Sequence, residues 1–376
     1  MLSDIETLRA SAKHLKKAFA AGDIEAAKRL KAVMPDISQP KHADFLHVIA
    51  RENSYESWPK LKFAVEAARL SRAQRADRLA QALYFGQQWV VRKLLDDDPT
   101  LPSERFDLQL ATYDFEAVRE RIARSPSFAT EPVAGRSPLV HLAFSRYIHM
   151  APSKREHMLQ IAAFLVEHGA DVNDGYPPEP GSSHRLSGLY GALGHANNLP
   201  LAEWLLEHGA SPDDGESFYH SIELGHHDGL RLLMRFGAST SGTNAIPRAM
   251  DFNDTAAVRL LLEYGADPNE AVNTHPSGQP VDSAPALHHA ASRWCSAEIV
   301  RLLLDSGADA SAIWQGRTRL IPWRASMATL RWRAFLRNAV GPGRSREPKR
   351  SWRHARKAGQ RPGSLRTISS LRIGAS

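Results

Sequence analysis

The side chains best equipped for chemistry here are seventeen histidines and a single cysteine, Cys295. Metal sites on helices set their histidines three or four residues apart, so that both rings share a face. In this chain the concentrated histidines are adjacent pairs, His226-His227 and His288-His289, and helical neighbours point about 100° apart. No H-E-x-x-H occurs, and neither does a G-x-S-x-G elbow or a G-x-x-x-x-G-K-[ST] phosphate loop. One cysteine excludes a disulfide or a cysteine-based zinc site within one chain. With apolar neighbours around it, Cys295 reads as small core filler. Paired carboxylates such as Asp213-Asp214 fall in turn sequence, where aspartate serves the backbone. The expectation is therefore no enzyme, no metal and no cofactor.

The elements that position these residues come from a recurring phrase. It reads LVEHGADVN at 165–173, LLEHGASPD at 205–213, LLMRFGAST at 232–240, LLLEYGADPN at 260–269 and LLLDSGADAS at 302–311. Its glycines, Gly169, Gly209, Gly237, Gly265 and Gly307, recur as one unit of 28 residues with insertions. An apolar run such as Leu260-Leu261-Leu262 gives a helix a broad buried face. The glycine that follows ends the helix in the left-handed conformation, and Asp267-Pro268-Asn269 turns the chain. A shorter helix precedes each phrase, as in Pro285-Ala286-Leu287-His288-His289-Ala290-Ala291. Alanines there let neighbouring helices approach closely.

This grammar resembles the ankyrin repeat, with its T-P-L-H-x-A start and its later L-L-L-x-x-G-A-D run. Arg136-Ser137-Pro138-Leu139-Val140-His141-Leu142-Ala143 is a second helix start of that kind. His141 and His288 are assigned to the repeat's own histidine, which the family uses for hydrogen bonds. Fainter units run from Leu79 to Leu95 and from Leu108 to Val118. The stretch 1–313 looks like bacterial ankyrin-repeat proteins with a helical N-terminal segment. The resemblance implies an all-α solenoid of helix pairs with finger loops. Residues 1–75 are then a helical N-terminal cap, 76–316 the repeat array and 317–376 a disordered basic tail.

The resemblance also implies a non-enzymatic scaffold that binds an unidentified protein through its concave face and fingers. Two inserts after the G-A-D turn, Asp174–Ser187 and Glu270–Ala284, fall where the fingers form. The candidate contact residues are Tyr176, His184 and Arg185 in the first and His275 in the second. Tyr219 and Phe252 join them as aromatics on or just beyond first helices, where the resemblance places the concave face, Tyr and Trp being favoured interface anchors. A third insertion, Arg146–Lys154, is expected to project from the opposite edge, away from this surface. Trp204 and Leu205 in a second helix read as core. No apolar run approaches the length of a membrane span, and the amphipathic start, with Ile5, Leu8, Leu15 and Phe19 among lysines, lacks a secretory h-region. A cytoplasmic protein is expected.

The net charge of +7 is unevenly placed. Residues 317–376 hold sixteen Lys/Arg and one acid, Glu347, so they carry +15 and residues 1–316 carry −8. One reading of this tail is a basic arm for nucleic acid or an anionic membrane, with Trp323, Trp332 and Trp352 suited to stacking. The other is a shifted reading frame. The repeat grammar stops at Gly316-Arg317-Thr318 and gives way to arginine-rich sequence. Codons built from the third base of one triplet and two bases of the next permit YSLARVYGNAAVARLLEERGG from Leu320, another helix pair. Sequencing the coding DNA decides between them: the frame reading expects this repeat, and a shifted frame crowded with stops sinks it.

Overall fold

The computed structural model describes residues 4–270 and 284–312. Contacts divide the chain into two units, Met1–Ile321 and Pro322–Ser376, and every described residue lies in the first. His275 and both readings of the tail at 317–376 lie outside the described residues. No helix among those described is long and apolar enough to cross a membrane.

Four helices open the chain: α1 (Ile5–Ala20), α2 (Ile24–Val33), α3 (His42–Glu52) and α4 (Trp58–Ala67). The first begins where Asp4 accepts from the amides of Glu6 and Thr7, satisfying two donors that a helix start leaves unpaired. Their apolar stripes converge on one core of Leu8, Leu15, Leu30, Phe45, Val48 and Leu61. Phe63 of α4 leaves this core and stands edge-on to Trp89, 5.1 Å between centroids.

Among the described residues seven helix pairs follow: α5 (Arg72–Phe85) and α6 (Gln88–Asp97), α7 (Phe106–Ala111) and α8 (Phe115–Arg124), α9 (Pro138–Ala143) and α10 (Arg155–Glu167). Next come α11 (Gly188–Tyr190, running on as a π-helical turn over Gly191–His195) and α12 (Leu199–Glu207), then α13 (Ser217–Ser221) and α14 (Asp228–Arg235). The last are α15 (Ala245–Asp251) with α16 (Thr255–Glu263) and α17 (Ala286–Ser292) with α18 (Ala297–Asp305). The first helices pack in sequence, α5 on α7 through to α15 on α17. Second helices form another row, with α8 on α10, α10 on α12, α12 on α14 and α16 on α18.

The recurring phrase has one conformation throughout. Gly169, Gly209, Gly237, Gly265 and Gly307 take φ of 96°, 94°, 81°, 98° and 96°. The alanine after each donates its amide to the carbonyl five residues back, as Ala266 does to Leu261 at 3.0 Å, which closes the helix end. The asparagine beyond ties one turn to the next. Asn173 donates to the Gly209 carbonyl (3.2 Å) and accepts from the Ser211 amide (2.7 Å). Asn269 repeats this with Gly307 and Asp309 at 2.9 and 2.6 Å.

Three details depart from expectation. Trp204 is only half-buried and stacks on His208, while Leu205 is buried. His141 lies two residues after Leu139, whereas His288 lies one after Leu287, so they do not share a repeat position. His141 still hydrogen-bonds the Val133 carbonyl through Nε2 at 2.7 Å. The third insertion folds back: Tyr147 and Met150 pack on the α5–α6 core, and the Tyr113 hydroxyl donates to the Ser145 carbonyl at 3.2 Å.

A Cβ at Gly265 would meet no atom within 4 Å, so the backbone alone objects to a side chain there. Gly265→Val forces a β-branched residue to φ near 98° and should destabilise the array by about 1–3 kcal/mol. Urea unfolding measures this, and an unchanged midpoint would contradict the turn.

Candidate functional site

The first long insert closes into a hairpin, β1 (Gly175–Tyr176) antiparallel to β2 (Leu186–Ser187), with Gly175 opposite Ser187 and Tyr176 opposite Leu186. Only glycine fits at 175, because a Cβ would stand 2.6 Å from the Leu186 carbonyl oxygen. The hairpin sends Tyr176 inward, where it is 8% exposed. Its ring meets Phe144 at 5.3 Å, its hydroxyl lies 3.2 Å from that of Tyr84, and the Arg136 guanidinium sits 4.0 Å above it. Tyr84 also packs on His195 at 4.2 Å, and the Tyr84 carbonyl accepts from His195 Nε2 at 2.8 Å. Burial, with Arg146 adding to it, lowers the His195 pKa to about 3, so the ring is neutral at ordinary pH.

A ladder of charge starts at the same hairpin. His184 Nε2 lies 2.7 Å from Oε1 of Glu216, a carboxylate only 3% exposed. The other oxygen of Glu216 meets His220 Nε2 at 2.9 Å, and His220 Nδ1 meets Glu223 at 3.1 Å. Glu223 pairs with Arg248, which reaches Asp251 at 3.5 Å. Asp251 finally takes His289 at 2.9 Å and Arg293 at 2.7 Å. Acid and base thus alternate from the hairpin through α13 and α15 to α17. Burial alone would lower the His220 pKa, but hydrogen bonds to Glu216 and Glu223 outweigh it and raise it to about 9. Glu223 and Asp251 are held below the usual carboxylate range despite burial, chiefly by His220 and His289 respectively.

Arg248 also fixes the aromatic candidates. Its guanidinium lies 5.0 Å from the Tyr219 ring and 4.9 Å from Phe252, where a cation is attracted to the ring face. Phe252 remains 54% exposed and Tyr219 is half-buried. Arg185 is exposed and paired with Asp174 at 2.9 Å. The insert residues therefore divide: Arg185 faces solvent, His184 joins the ladder and Tyr176 belongs to the interior. Glu216, Glu223, Arg248 and Asp251 went unnoticed in the sequence, although Glu216-x-x-x-His220 and His220-x-x-Glu223 have spacings that pair on a helix.

Cys295 is buried, donates to the Met250 carbonyl at 3.3 Å, and has its pKa raised by burial to about 12. Among the described residues no group of three or more His, Cys, Asp and Glu converges as a metal would require.

The two histidines give stability opposite pH limits. His220, raised above its unfolded value of about 6.5, contributes fully below pH 6.5 and loses its contribution as pH climbs through about 9. His195, lowered to about 3, contributes above pH 6.5 and loses it on acidification toward 3. Denaturation across pH should show stability falling on the alkaline side between 6.5 and 9, and His220→Asn should flatten that side only. An alkaline limb unchanged in the variant would remove His220 from the ladder.

Residues 284–313, the α17–α18 pair, match the family model of the ankyrin repeat. Two solved structures are similar to the chain. The human ASB11 ankyrin repeat domain is 19% identical with a TM-score of 0.45, covering 64% of this chain and 99% of that one. An ankyrin repeat domain from Acinetobacter baumannii AYE is 23% identical with a TM-score of 0.41, covering 54% and 98%. No curated protein sequence matches. The stacked helix pairs, their shared glycine closure and the match at 284–313 make the fold an all-α ankyrin-repeat solenoid.

Proposed function

We propose that this chain is a non-enzymatic scaffold that binds another protein reversibly along the face made by α11, α13, α15 and α17, the concave side of such a solenoid. Ankyrin repeats generally mediate protein–protein interaction, and α17–α18 is one by sequence. The observation that favours this face is the sandwich of Arg248 between Tyr219 and Phe252, with Phe252 half out in solvent. A rigid aromatic beside a fixed arginine loses little freedom on binding, and both residue types are those that concentrate interface energy.

The hairpin serves this surface as a support rather than as the gripping element. Deleting it would strip Tyr176 from the interior and leave Glu216 without His184, so its loss would damage the fold as well as the surface. The sharper test is Phe252→Ala, which removes exposed area and leaves the ladder intact. Protein partners captured on the immobilised full chain should bind the variant at least tenfold more weakly, with the thermal midpoint unchanged. Equal retention would move the site elsewhere.

A further inference from the structure

A second feature lies where the first helices end. A cleft of about 410 Å³ is lined by Gly86 and Gln88 after α5, Arg146 and His149 after α9, Gly194 to Asn197 at the end of α11, and Glu223 and Leu224 after α13. That volume lies within the roughly 300–1,000 Å³ of small-ligand sites. Its wall includes the folded-back third insertion, which brings Arg146 in. The side chain runs past Gly86, its Cδ 2.9 Å from where a Cβ there would stand, so the glycine leaves room for the arginine.

Arg146 is the anomaly of the cleft. Its Nε is buried with no hydrogen-bond acceptor, and burial lowers its pKa with only the weak acids Tyr84 and Tyr190 acting against that. Guanidinium does not give up its proton in proteins, so the charge remains, half-desolvated. Buried charges are ordinarily paired, and the Arg146 guanidinium, which lines the cleft, has no ion-pair partner among the described residues. The neighbours cannot answer it. His149 Nε2 is bonded to the Ala196 carbonyl at 2.6 Å, and His195 is neutral and spent on Tyr84. Glu223 is engaged by His220 and Arg248.

We propose that this cleft binds a carboxylate, with the two terminal nitrogens of the Arg146 guanidinium receiving it and Gln88 and Asn197 supplying further polar contacts. The fork of donors in guanidinium matches the two oxygens of a carboxylate. The site adjoins the binding face proposed above at Glu223 and stands whether or not that face takes a protein. The carboxylate has two sources, a free small acid or an acidic side chain on a peptide.

Titration of the full chain, ¹⁵N-labelled at arginine, distinguishes them. The probes are glutarate, the peptide acetyl-AAEAA-amide and its glutamine counterpart acetyl-AAQAA-amide, read at the Arg146 Nε–Hε resonance. Saturable shifts in the millimolar range with glutarate alone identify a free acid; shifts with the glutamate peptide and not the glutamine one identify a side chain. Arg146→Gln should abolish the effect on glutarate binding measured by calorimetry, and Arg146→Lys should weaken it at least tenfold by losing the fork. Should Arg146→Gln fail to fold, Asn197→Asp decides, since aspartate tolerates the φ of 51° there and keeps an acceptor for His226. The added negative charge should weaken glutarate at least tenfold. No saturable shift with either acid, or equal glutarate affinity in the folded variants, overturns the site.

Discussion

The architecture depends on how closely successive first helices approach. Three residues after a buried apolar anchor in each of the last four first helices described stands a small, fully buried side chain: Ala192 after Leu189, Ser221 after Phe218, Ala249 after Ile246 and Ala290 after Leu287. A larger group at any of these would push the helices apart, and tightly packed interiors relax little around added volume. Ser221 is the polar member, and its hydroxyl is satisfied by donating to the Ser217 carbonyl at 2.6 Å. Helices held this close place their outward side chains within ion-pair distance of the next repeat. The alternating ladder from Glu216 to Arg293 follows from that spacing.

Within the ladder, Glu216 sets the terms. Glu216, only 3% exposed, lies within 2.9 Å of one histidine from the hairpin and of His220 on its own helix, whose raised pKa keeps it protonated beside the carboxylate. Removing one partner of a buried pair costs about 3–5 kcal/mol, more than the intact pair contributes. Such groups fix geometry more than they add stability, which suits a surface whose role is to present Phe252 and Tyr219 in one arrangement.

What the sequence discloses is what depends on local rules. The glycine of each G-A phrase announces its left-handed helix end because few other residues tolerate φ between 81° and 98°. The 28-residue spacing discloses the pairs for the same reason. Long inserts follow no such rule. Whether Tyr176 points in or out depends on hairpin register, where a slip of one residue exchanges the two faces. The folding back of Arg146–Lys154 depends on Tyr147 and Met150 finding the core of α5 and α6, and no periodicity in the sequence records that. The π-helical turn at Gly191–His195, which aims His195 at Tyr84, likewise has no signature in a single sequence.

A repeat array of nearest-neighbour contacts can unravel from either end, each unit melting almost on its own. The cluster around Tyr84 breaks that independence. It joins α5 to residues 92 and 111 positions further along the chain, through the Tyr176 hydroxyl and His195 Nε2. The segment from α5 to α11 then cannot open at one repeat without disturbing contacts three repeats away, so it behaves as a single cooperative block. Closing such a long loop is slow compared with stacking adjacent helices. The first part of the repeat array thus acquires the all-or-none character of a globular domain, while α15 to α18 keep the piecewise behaviour of a linear array.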